Sequence, residues 1–186
     1  KVARELGRSV RETTAVAEEY AAYTAYVSSP TETAPTLRTA VEDLAALEGP
    51  SDEDRQALAR LRASLGMALH FMRDIEGEQQ PLREGLAELA EAPPSPGRAR
   101  LLRVLGWVLA WGGALDEATT MLERARGEAE ASGDQQTHRW VLADLGTCLC
   151  WQGREREGAK VVEESLRLAT IAGDRALVRR SVTNLL

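Results

Sequence analysis

Aromatic side chains are scarce in this chain. Its 186 residues include four Trp, three Tyr and one Phe. A core must therefore be built from aliphatic residues, and with 44% apolar residues there are enough of them to exclude disorder. No β-branched run alternates with polar residues, so strands are not expected. Cysteine is limited to Cys148 and Cys150 in a helical "TCLCW". Two residues apart on a helix they share no face, which excludes a chelate or disulfide between them and leaves small buried apolar side chains in a reducing cytosol. Histidine is limited to His70 and His138, neither beside a convincing nucleophile. There is no glycine-rich phosphate loop, no HExxH and no paired CxxC. The expectation is a chain with no catalytic residues, no metal and no cofactor. No apolar run reaches 18 residues and no leader is recognisable, so neither a membrane span nor export is expected. Lysine occurs only at Lys1 and Lys160; coding bias accounts for that as readily as chemistry. A net charge of −6 weighs against direct nucleic-acid binding.

What the chain does have is a period. Forty residues separate Leu65, Leu105 and Leu145, and the same interval separates Gly66, Gly106 and Gly146, and Leu69, Leu109 and Leu149. Phe71, Trp111 and Trp151 share one position, and Leu82, Leu122 and Val162 another. A fixed period in the 20–50 residue range is the signature of stacked helical or other repeats. Each unit reads as two helices. In the second, a helix over 97–111 ends at Gly112-Gly113, because glycine supplies a left-handed cap. A returning helix over 114–131 carries Leu115, Ala118, Leu122, Ala125 and Ala129 at helical spacing, and Ser132-Gly133-Asp134 breaks it. The third unit repeats this with helices over 135–151 and 154–171, broken at Gln152-Gly153 and Gly173-Asp174. In the first, a helix over 53–73 follows a cap at Ser51-Asp52-Glu53-Asp54, and a second starts near Gln80 with Pro81 in its first turn. Upstream, one helix is expected over 3–27, stopping at Ser28-Ser29-Pro30, and another over 35–47.

These units resemble tetratricopeptide repeats. The residues that carry the likeness are Leu105, Gly106 and Leu109 in a first helix, with small–large–small Ala118, Leu122 and Ala125 in the second. The third unit has Leu145, Gly146, Leu149 and then Gly158, Val162, Ser165. The first has Leu65, Gly66, Leu69 and then Glu78, Leu82, Gly85, a departure that leads us to expect its second helix to be displaced. The usual Trp is replaced by Arg62, Leu102 and Leu142, and the units exceed the usual 34 residues. The resemblance implies an all-α fold, an α-solenoid of antiparallel helix hairpins in a right-handed superhelix. The expected organisation is one repeat domain: a divergent N-terminal hairpin at 1–50, repeats at 51–96, 97–134 and 135–174, and the first helix of a further repeat at 175–186. Long units ending in "ASGD" or "IAGD" resemble repeat regions of large bacterial multidomain regulators with an ATPase module. The chain is accordingly read as a piece of a longer cytoplasmic protein.

The resemblance implies that first helices line a concave face. Within 55–73, 97–112, 135–152 and 175–186 stand eleven Arg (55, 60, 62, 73, 98, 100, 103, 139, 175, 179 and 180) and one acid, Asp144. The second helices are predominantly acidic. All the aromatics fall on first helices, including a stripe of Tyr20, Tyr23 and Tyr26. Groove-facing positions are expected to hold Tyr23, Arg60, Met67, His70, Arg100, Arg103, Trp107, Trp140 and Cys150. Arg and Trp dominate binding hot spots, and Arg grips a carboxylate or phosphate with a fork of hydrogen bonds. The expected function is a non-catalytic interaction scaffold for an acidic peptide or protein segment. The alternative is an effector-sensing module of a larger bacterial transcription regulator or signalling ATPase, taking a small anionic effector or docking on other domains of its own chain. Self-association through the last repeat is a further possibility. Two structural alternatives stay open: the arginines can pair with acids on neighbouring helices, and Phe71, Trp111 and Trp151 can form a packing ladder in the core.

Overall fold

The computed structural model describes residues 30–74 and 77–185, and eight helices are found among the described residues. In chain order they are α1 (Pro30–Ala45), α2 (Asp52–Phe71), α3 (Gln80–Glu88), α4 (Pro96–Trp111), α5 (Leu115–Ser132), α6 (Gln135–Trp151), α7 (Glu155–Ala172) and α8 (Arg175–Leu185). The expected helix over 3–27, with Tyr20, Tyr23 and Tyr26, lies outside the described residues. The chain divides at Pro93–Pro94 into two compact units.

In the first unit α1 packs on α2, and α2 on α3. Leu37 and Leu44 of α1 meet Leu58, Leu61, Leu65 and Leu69 of α2 in one aliphatic core. Pro30 opens α1 where the sequence suggests a stop, because a proline at the first helical position gives up an N–H that has no partner there anyway. Pro35, expected to start the helix, lies one turn inside it. At the start of α2 the Ser51 hydroxyl accepts the Asp54 N–H (3.2 Å), and the Asp54 carboxylate accepts the Ser51 N–H (3.0 Å).

In the second unit α4 and α5 form one hairpin and α6 and α7 another, with α8 packed on α7. The first helices α4, α6 and α8 also touch in sequence: α4 meets α6 and α6 meets α8. The second helices end at Gly133 (φ 72°) and Gly173 (φ 71°), both left-handed. One residue later the Asp134 carboxylate accepts the Thr137 N–H, and Asp174 does the same for Leu177, each at 3.0 Å. One short stretch thus stops one helix and caps the next.

The repeated glycines act as expected. A Cβ placed on Gly106 would stand 2.7 Å from Leu122 Cγ, and one on Gly146 would stand 2.5 Å from Val162 Cγ2. Gly66 faces Leu82 in the same way, at 2.8 Å. The second helix of the first unit is therefore not displaced. Leu82 is fully buried in register, and Glu78 simply precedes the helix instead of belonging to it.

Candidate functional site

Arg103 on α4, Asp144 on α6 and Arg180 on α8 come together on the side of the second unit that the first helices share. Asp144 is completely buried. Its Oδ2 accepts Arg103 Nε–H at 2.7 Å, and its Oδ1 accepts an N–H from Arg180 Nη2. Burying a carboxylate is costly without charge-assisted partners, and here two guanidiniums meet that cost from opposite sides. Trp140 and Trp107 complete the cluster. The Arg103 guanidinium lies 4.9 Å from the Trp140 ring centre, and that of Arg180 lies 4.2 Å from Trp107 and 5.4 Å from Trp140. Cation–π attraction draws both guanidiniums over the indole faces. Trp140 is also packed against the small core of Ala143, Ala169 and Leu177, which fixes its ring.

Each guanidinium carries five N–H groups and spends one on Asp144 in these bonds. The cluster has two positive charges against one negative. Its side chains are donors, apart from an Asp144 that is already doubly engaged. Such a surface suits an anion with several acceptor oxygens, a carboxylate or a phosphate.

Trp107 links this cluster to a second one. Its ring centre is 5.6 Å from that of Trp111 and 6.1 Å from that of Trp151, and Trp111 and Trp151 meet edge to face at 5.4 Å. Trp111 and Trp151 of the expected ladder meet here, but not in the core. Trp111 is 57% and Trp151 43% exposed, and Phe71 is exposed as well. These residues stand at the last helical position of each first helix.

The other expected site residues fall elsewhere. Tyr23 lies outside the described residues. Arg60 and Met67 are half-buried on α2 of the first unit. Arg100, half-buried, stands one turn before Arg103. His70 lies at the end of α2. Its Nδ1 lies 3.0 Å from the Glu78 carboxylate, so it faces the returning chain of its own hairpin. Cys150, two units on at the same repeat position, does likewise: its sulfur overlies Gly158, where a Cβ would stand 2.5 Å away. Burial raises the Cys150 thiol above its ordinary value, with the Glu155 carboxylate adding to the effect; burial also raises Cys148. A helix turns about 100° per residue, so an error of one position in assigning faces carries a side chain from groove to hairpin.

Two members of the site were not among the expected residues, and both left a trace. Asp144 is the lone acid of the first helices. Arg180 occupies the position that holds Arg60, Arg100 and Trp140 in the preceding units. Other arginines of this layer pair with acids of their own hairpins: Arg62 with Glu84 and Glu88, Arg98 with Glu128. Among the described residues no cluster of His, Cys, Asp and Glu could hold a metal ion, and no helix is long and apolar enough to cross a membrane.

Comparison with solved structures decides the fold. Aspartyl phosphate phosphatase F from Bacillus subtilis superposes with a TM-score of 0.71 over 95% of this chain at 13% identity. A putative kinesin light chain from Podosopora anserina, with nearly identical TPR-like repeats, superposes with a TM-score of 0.62 at 14% identity, covering 94% of both chains; a singly substituted form of it gives the same score. The fold is a tetratricopeptide-like helical repeat. This chain spans 45% of the phosphatase's length. No family model matches the sequence, and no curated protein does.

Proposed function

We propose that this helical-repeat chain is a non-catalytic interaction module that binds an acidic peptide or protein segment on the first helices of its second unit. The observation that carries the reading is the pair of guanidiniums, Arg103 and Arg180, set by one buried carboxylate and backed by two indoles. The chain as a whole is acidic, so a cationic patch fixed by a buried ion pair is a local specialisation. Titration of an acidic peptide against a basic one of equal length, followed by tryptophan emission, tests it. Binding of the acidic peptide alone, weakened by added salt, is expected. Arg103→Lys with Arg180→Lys keeps the charges and loses the forks, and lowers the affinity. Equal binding of both peptides, or of neither, refutes the reading.

The compactness of the cluster favours one alternative, an effector-sensing module of a larger bacterial regulator. Two cations and two indoles around one carboxylate match the size of a small anion. A rise in melting temperature with free anionic metabolites, absent with acidic peptides, selects this alternative.

A further inference from the structure

We infer that the site reads a two-part motif, an acidic residue followed three or four positions later by a large apolar one, with Trp111 and Trp151 taking the apolar side chain. The inference rests on the peptide reading above and adds the second anchor. Three observations support it. Trp111 and Trp151 are large, exposed indoles held edge to face, so they offer a rigid apolar surface that water covers in the unbound chain. That surface is continuous with the cationic cluster, because Trp107 has Arg180 on its face and Trp111 and Trp151 as ring neighbours. The spacing follows from helix geometry. Arg103 to Trp111 is eight residues of α4 and Asp144 to Trp151 seven of α6, so at about 1.5 Å per residue the anchors are about 11 Å apart, or three to four residues of extended peptide at about 3.3 Å each. The side chains on this stretch decide orientation too: acid toward the start of the first helices, apolar residue toward their ends. Exposed tryptophan beside paired arginine is also the composition of interface hot spots.

The test uses capped peptides titrated calorimetrically into the full chain. The probe is Glu-Glu-Gly-Ser-Gly-Leu. Controls replace Leu by Ser, replace both Glu by Gln, or lengthen the spacer to ten residues. The probe is expected to bind about tenfold tighter than the Leu→Ser peptide. Trp111→Ala with Trp151→Ala, both at exposed positions, should remove that advantage, so that the probe and the Leu→Ser peptide bind with equal affinity. If acidic peptides bind equally well with and without Leu, or if the long spacer makes no difference, the two-part motif is refuted and the acidic-segment reading stands. If no acidic peptide binds, the underlying reading falls and the inference falls with it.

Discussion

Glycine decides most at the residue scale. At Gly106 an added methyl meets the Leu122 side chain at 2.7 Å and the Ala118 backbone oxygen only at 3.2 Å, but at Gly146 it meets Val162 Cγ2 at 2.5 Å and the backbone oxygen of Gly158 at 2.7 Å. Side chains yield; backbone does not. Gly146→Ala is therefore expected to cost about 3 kcal/mol and Gly106→Ala about 1 kcal/mol, the two ends of the overpacking range, as read from urea unfolding midpoints. Arg73 gives the opposite case. It has φ 59° at the repeat position where Gly113 and Gly153 have 82° and 79°. A side chain in the left-handed region costs about 1 kcal/mol, and Arg73→Gly should recover roughly that amount in the same assay. The glycine contacts were legible in the sequence because they recur: three Leu-Gly pairs at one interval, each with a large residue sixteen positions on, admit one packing solution. Burial of the recurrent aromatics was not legible. Their period says that they are equivalent, and equivalence does not distinguish a ladder inside the core from one outside it.

Between helices, the decisive contact is Asp144 with its two arginines. The partners are 41 residues before and 36 after it, one on each neighbouring first helix. Truncation to Asp144→Ala would leave two guanidiniums facing each other without a counter-charge. The expected loss is about 3 kcal/mol, with a lower thermal midpoint. Asp144→Val, which installs the residue found one unit earlier at Val104, separates the loss of charge from the loss of packing, and should cost less than the alanine variant. Helix ends were legible to within a few residues from their serines, aspartates and glycines, since capping is local chemistry. The triad was not, because nothing local requires Arg103 and Arg180 to share a carboxylate. The hints were an isolated acid in a basic layer and an arginine recurring at the position of Arg60 and Arg100. The contacts of His70 and Cys150 with their own hairpins were not legible for a related reason: sequence spacing locates a helical stripe but fixes its rotation only to about one residue.

For the whole molecule, the consequence lies in where contacts fall along the chain. Every helix of the second unit packs on sequence neighbours or on the helix one removed. Such low contact order places refolding in the microsecond-to-millisecond range, and stopped-flow dilution from urea is expected to find most of the signal recovered within milliseconds. All named members of the proposed site belong to residues 94–186, so a fragment of that span should keep helical circular dichroism and bind the acidic probe peptide with unchanged affinity. Loss of binding with helix content intact would mean that residues before Pro94 contribute to recognition. The repeat architecture was legible from composition and period together. The ligand surface was not, since one period can present any side chain outward.

The indoles also give the molecule an optical signature. All four tryptophans lie in the second unit, and three have ring centres within about 6 Å of one another. At that range their transition dipoles couple, so the far-ultraviolet spectrum should carry an exciton couplet superimposed on the helical bands. Excitation absorbed by any one ring passes to its neighbours before emission. A guest seated on Trp111 and Trp151 would change the couplet and the emission together, while events confined to the tryptophan-free residues before Pro94 would leave both without a direct chromophore, so the chain carries its own label for the half in which recognition is proposed.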